Sequence, residues 1–311
     1  LKGRKKRWRD FWRDRYCILF LLFLSGIIVL APLKVFAQEG DYHWIENTEY
    51  GWIDWTTYTV YSSINATEAF QRNGETPYCL KVKKLQLLNR LFKEISSIPL
   101  KKKVPLGKKW SDDTAEFLWG LINNSPGFSM IHTSENSTTI NIRFPLGPRF
   151  LKKAIPLASF LRLQQESPPS PDVGSVTRED FLRGFSGIIV QVSTPSFVPA
   201  ILVYLYDQDG DLLYGPASIS YTNFLKNHMA LFLAANQPGM IRRRVGDHPL
   251  VISATDIFKG DVHSLVLDKN NSFYFRFKGI IPLLQEGRMI IMRKTPISIT
   301  PTGVQEFNLN N

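Results

Sequence analysis

Cysteine is nearly missing from this chain: its 311 residues hold two, Cys17 and Cys79. With Cys17 in a leader that is expected to be removed, no disulfide framework can form within the remaining chain, and burial is the plain expectation for Cys79. Histidine is scarce as well. His43, His132, His228, His248 and His263 never approach metal-ligand spacing. The sequence contains no His-Glu-x-x-His, no Cys-x-x-Cys and no Gly-x-Ser-x-Gly, since Gly184-Phe185-Ser186-Gly187 lacks that register. Zinc hydrolases, redox dithiols and nucleophile-elbow enzymes therefore have no sequence support. No internal repeat stands out, and no cofactor is expected.

Asp207, Asp209 and Asp211 have the opening spacing of a calcium loop, but Gly210 falls at loop position four and Ser218 stands where the closing glutamate belongs. Asp-Gly between two β-rich runs reads instead as a hairpin turn. The Asp112/Asp113 pair lies at a helix start, where negative charge complements the dipole.

The leader is informative. Lys2, Arg4, Lys5, Lys6, Arg7, Arg9, Arg13 and Arg15 precede an apolar run at 18–33, and Val35-Phe36-Ala37 closes it. Basic, apolar and small-residue zones in this order form a secretory signal, with cleavage expected between Ala37 and Gln38. The alternative is an uncleaved inner-membrane anchor at 18–33, which is close to the ~20 residues a spanning helix needs. Lipid modification at Cys17 is not expected, because Cys17 precedes the apolar run. The whole chain carries 38 Lys+Arg against 27 Asp+Glu, net +11. Residues 1–37 hold nine of the positive and two of the negative charges, which leaves 29 against 25, net +4. The basic balance is thus mostly a targeting device, and nucleic acid is not an expected partner.

The rest divides into an N-terminal α+β module at 38–150, a Pro/Ser-containing linker at 151–180, a β-rich module at 181–296 and a tail at 297–311. The predicted class is α+β, two small modules of mixed sheet with helices after a cleaved signal peptide. Residues 42–55 are rich in Trp and Tyr. Trp44, Trp52 and Trp55 are costly to expose, so the segment packs on the following module or docks a partner. A strand is predicted at 56–64. A helix at 80–95 has an apolar face of Leu85, Leu88, Leu91, Phe92 and Ile95. A second helix is capped by Ser111 or Asp113, with Ala115, Leu118, Trp119 and Ile122 inward. Strands follow at 128–132 and 138–144. Further on, 187–193, 200–206, 212–214, 249–254 and 289–293 read as strands; 221–233 could be helical, while 264–266 and 272–277 are ambiguous. Arg242-Arg243-Arg244 is the densest basic run after the leader. It suits either a solvated loop or contact with anionic lipid or lipopolysaccharide phosphates, and with the tryptophans it forms the candidate assembly or docking set.

Ser186-Gly187-Ile188-Ile189-Val190, Pro199-Ala200-Ile201, Asp209-Gly210 with Leu213-Tyr214-Gly215, and Gly246-Asp247-His248-Pro249-Leu250-Val251-Ile252-Ser253-Ala254 make up a pattern. In it the region 186–293 resembles the FlgP-like family of bacterial flagellar-associated outer-membrane proteins, which overlaps the small-lipoprotein antigens of Helicobacter-type bacteria. Two features depart from that family: its frequent lipobox cysteine is absent, and 270–278 reads as a strand where the family carries a helix. The resemblance implies a non-enzymatic, self-assembling structural or scaffold component of the periplasm or outer membrane, flagellum-associated, with itself, other envelope proteins and the outer-membrane surface as partners. The alternatives are a periplasmic binding or adaptor module docking through 42–55, and an envelope enzyme with dispersed residues such as Asp207, Asp209, Asp211 and His248.

Overall fold

The computed structural model describes residues 42–73, 77–124, 130–134, 137–166 and 184–294. The signal sequence with its Ala37–Gln38 junction, the Pro/Ser run at 167–171 and the tail at 297–311 lie outside these residues.

The chain has an α+β fold. Strands β1 (Ile45–Asn47), β2 (Gly51–Asp54), β3 (Thr59–Asn65), β6 (Met130–Ser134) and β7 (Ser137–Pro145) form an antiparallel sheet in the order β1-β2-β3-β7-β6. Helices α1 (Thr67–Asn73) and α2 (Pro77–Ser97) follow β3. A small ribbon comes next, β4 (Pro99–Lys101) with β5 (Val104–Pro105), and then α3 (Asp112–Asn123). Leu87, Leu88, Leu91 and Ile95 give α2 its buried face. Leu85, expected on that face, is 47% exposed, and Leu87 is buried in its stead. The burial is concentrated in the second half of the helix. Ser111 caps α3 by accepting a hydrogen bond from the Thr114 amide, which satisfies one otherwise unpaired donor of the first turn.

The connecting stretch 151–180 is not all extended. α4 (Pro148–Ala154) and α5 (Leu157–Glu166) occupy its first part, burying Phe150, Leu151, Ala154, Phe160 and Leu163.

The second sheet is mixed, in the order β10-β9-β13-β12-β8-β14-β11. Its strands are β8 (Gly187–Val192), β9 (Tyr204–Asp207), β10 (Leu212–Tyr214), β11 (Leu231–Leu233), β12 (Pro249–Phe258), β13 (Asp261–Leu267) and β14 (Met289–Arg293). β8 lies between β12 and β14, parallel to both, and its Gly187-Ile-Ile-Val stretch is buried on both faces, as strands within parallel sheets are. Helix α6 (Tyr221–Asn227) takes only the first half of 221–233; the remainder enters the sheet as β11, parallel to β14. Helix α7 (Pro238–Val245) covers Ile189, Leu233 and Ile290. The segment 269–276 is helical, not a strand: α8 (Lys269–Ser272), capped by Asp268, runs into a short 3-10 turn. A further turn and α9 (Ile281–Gln285) lead to β14. The aromatic-rich alternation of 272–277 imitates a strand, but Asp268 caps a helical turn and burial falls on Ser272 and Phe275, three residues apart, while Phe273 is exposed. A helix before the last strand is also what the family resemblance implied.

The two sheets share one core. Thr56 Oγ1 donates to Phe232 O at 2.7 Å, and Tyr58 Oη donates to Ala230 O at 2.7 Å. The β4 carbonyls of Pro99 and Leu100 accept from the amides of Ile201 and Leu202. Ile201 and Leu202 therefore bond to the β4 ribbon, and β9 starts only at Tyr204, later than the run 200–206 suggests.

Candidate functional site

Asp54 organises the turn that carries the aromatic segment into the core. Its carboxylate accepts from His43 Nδ1 at 2.8 Å, from the Thr56 amide at 3.0 Å and from Thr57 Oγ1 at 2.7 Å. Thr56 Oγ1 accepts from the Trp44 amide while donating across to Phe232. This places Trp44 and Trp55 at 2% and 0% exposure, edge-on to Phe232, with Phe197 against Trp44. Trp55 Nε1 donates to Glu46, whose carboxyl is held above its ordinary value by burial, against the lowering effect of that bond. Of the three tryptophans offered for docking, Trp44 and Trp55 are thus interior side chains that a partner does not reach. Trp52 is half-buried, stacked on Tyr61 with ring centres 4.7 Å apart. The sequence allows the segment to pack on the following module or to dock a partner; in the fold its tryptophans pack mainly inward.

The aspartate trio forms a hairpin turn. Asp207 is buried, accepts the Asp211 amide at 2.8 Å and pairs with Arg276 at 3.2 Å, while Gly210 supplies the positive φ of 95°. Asp209 is exposed. Among the described residues no group of three or more His, Cys, Asp or Glu is placed to hold a metal ion. His248 is exposed, and His263 Nδ1 lies 2.9 Å from Val198 O.

The arginine run behaves differently from a solvated loop. All three residues belong to the last turn of α7, where cations complement the carbonyl end of the helix. Arg242 pairs with Asp247 at 2.6 Å on the exposed side, and Arg243 Nε donates to Gly239 O within the same helix. Arg244 turns inward and donates to Met289 O at 3.3 Å and His228 O at 3.5 Å. The three line a cleft of about 390 Å³ between α7, the end of α6 and the turn after α9. Lys226 and Arg288 line it too, with Asn223, Asn227 and Glu286. The sequence showed the triple arginine; nothing in it linked that run to Lys226 or Arg288, which arrive from segments 16 or more residues away.

Behind Arg244 lies a buried polar group that sequence reasoning missed. His228 stacks flat on Tyr58, ring centres 3.6 Å apart, and its Nδ1 is buried without a hydrogen-bond partner among the described residues. Burial, with the nearby Arg244 guanidinium, pushes the imidazole down to about 3. Burial also raises the Tyr58 and Tyr214 hydroxyls and lowers Arg244. Both tyrosines are hydrogen-bonded to main-chain carbonyls, Ala230 and Met229 respectively. The imidazole is half-buried with its Nδ1 enclosed, and this setting favours its neutral form.

A second cleft, about 840 Å³, lies where α3, α4 and the end of β7 meet. Phe144 and Phe150 contribute to its floor, Asp113, Glu116 and Arg149 to its lining. Among the described residues no helix is long and apolar enough to cross a membrane.

Residues 187–295 match the family model described as the second domain of Tp0624 of Treponema pallidum. That match begins at the glycine of β8 and runs just past β14, so it takes in the mixed sheet together with α6, α7, α8 and α9. It links this part of the chain to a bacterial protein family. No curated protein matches the chain.

Proposed function

We propose that this chain is an exported, non-enzymatic protein of a bacterial cell envelope, a structural component that assembles with copies of itself and with other envelope proteins. The observation that carries the reading is how the two sheets are joined. Ligands of two-lobed binding proteins and enzymes are commonly held at the boundary between lobes. Here that boundary is filled by Trp44, Trp55, Tyr58, Phe197 and Phe232 and bridged by Thr56 and Tyr58. Such a junction makes a stiff building block. It also argues against docking through 42–55, because the large side chains of that segment are already used within the chain.

The basic and apolar leader supports export, and the similarity of 187–295 to a domain of a Treponema pallidum protein supports a bacterial setting. The periplasm or outer membrane is the proposed location. In its finer form, carried by the pattern at 186–254, the proposal groups the chain with the flagellum-associated outer-membrane proteins.

Two measurements test this. N-terminal sequencing of the protein from an envelope fraction should begin at Gln38; a cytoplasmic protein with its leader intact overturns export. Light scattering with negative-stain imaging of residues 38–311, over a range of concentration and salt, should show rings or other high-order species. A monomer throughout removes self-assembly.

A further inference from the structure

The basic cleft at the end of α7 has a charge balance that its own surroundings do not neutralise. Five cations stand at it, Lys226, Arg242, Arg243, Arg244 and Arg288. Two acids answer them: Glu286 holds Arg288 at 2.6 Å, and Asp247 holds Arg242 at 2.6 Å. Five positive against two negative leaves a net charge of +3. Lys226, Arg243 and Arg244 have no carboxylate partner among the described residues.

Carbonyl ends of α6, α7 and α9 also converge here, and such ends attract cations without any ligand. They account for part of the arrangement. Arg244 is bonded to the carbonyls of His228 and Met289, while Asn223 and Asn227 donate to those of Gln285 and Glu286. With those carbonyls occupied, Lys226, on the last turn of α6, forms no side-chain hydrogen bond among the described residues. Arg243 is bonded only through Nε to its own helix, so its terminal nitrogens remain available. Gly246 and Gly287 line the same cleft, both with positive φ (79° and 66°), and bring main chain to its wall without side chains.

We propose that this cleft binds a phosphate group. Planar guanidinium forks match two oxygens of a tetrahedral phosphate, an ammonium beside them adds a point charge, and several cations together suit a multiply charged anion better than a single carboxylate. A volume of about 390 Å³ is ample for a phosphate or a lipid phosphate headgroup. The inference stands on the cleft alone and survives even if the chain is not a scaffold.

The test titrates the purified protein with inorganic phosphate, pyrophosphate and acetate at equal ionic strength, and with phosphatidylglycerol and phosphatidylcholine vesicles. The variant is Lys226→Gln with Arg243→Gln, both outside the packed core, so Arg244 and its buried contacts stay intact. Lys102→Gln with Lys103→Gln removes the same charge from the exposed β4–β5 turn as a control. Saturable phosphate binding that weakens roughly tenfold in the cleft variant and not in the control supports the site. Binding only to phosphatidylglycerol vesicles, with the same loss, assigns the phosphate to a lipid headgroup. Equal weakening in both variants, acetate binding as tightly as phosphate, or no binding to any probe overturns the proposal. Should the double variant melt early, Lys226→Gln alone provides the comparison.

Discussion

His228 occupies a backbone conformation, φ 55° and ψ −176°, that glycine tolerates far better than other residues, and it is held there by its stack on Tyr58. Its imidazole is neutral in the folded chain down to about pH 3 but takes a proton near 6.5 once unfolded. Protons then favour the unfolded state between those values, so the stabilising contribution is present above about pH 6.5 and is lost as pH falls. His228→Phe should flatten the acid limb of stability against pH by up to about 1 kcal/mol per pH unit in that window, measured by denaturant unfolding. An unchanged slope would mean the ring titrates freely in the fold. Gly187 is set by space instead of conformation: a Cβ there would lie 2.5 Å from Val245 Cβ of α7. Gly187→Ala should therefore cost about 1–3 kcal/mol, because α7 has to lift from β8. A variant as stable as the parent would place α7 elsewhere.

Between elements, the junction of the sheets hangs on few polar contacts in an apolar setting. Thr56 is buried and serves two chains of bonds at once, from Trp44 and to Phe232. Thr56→Val keeps the shape but leaves an amide and a carbonyl unpaired, an expected loss of about 2–4 kcal/mol. Urea midpoints decide this, and a loss under about 0.5 kcal/mol would show that water replaces the hydroxyl. Ser111→Ala at the cap of α3 should cost about 1 kcal/mol by the same measurement, with no change elsewhere, since that cap is exposed and local. The capping signal was legible in advance because it depends on neighbours in the chain. The helix at 269–272 was not, although Asp268 caps it, because Phe273, Tyr274, Phe275 and Phe277 resemble a strand until the burial of Ser272 and Phe275, three residues apart, is known.

Taken together, the described residues belong to one compact unit whose largest apolar cluster runs from Trp44 through α2 and the first sheet to Ile291 of β14. Neither sheet can be bared without exposing the tryptophans. Calorimetry should accordingly show one cooperative transition covering both sheets, with calorimetric and van't Hoff enthalpies in agreement. Two separated transitions would show that the bridges at Thr56, Tyr58 and β4 contribute little.

Local order was the legible part. Alternation and helical spacing marked β3, α2, α3, β7, β8 and β14 within a few residues, and Asp-Gly marked the 207–211 turn, because backbone conformation answers mainly to adjacent side chains. The leader, the charge it carries and the Arg242-Arg243-Arg244 run are likewise properties of contiguous residues. Long-range placement was out of reach. That Trp44 and Trp55 fill a junction and do not face a partner, that His228 lies against Tyr58 with Arg244 behind it, and that Lys226 and Arg288 complete a cleft begun by the arginine run all depend on which surfaces meet. Burial and charge balance are sums over residues distant in the chain, and no local pattern encodes them until the sheets have packed.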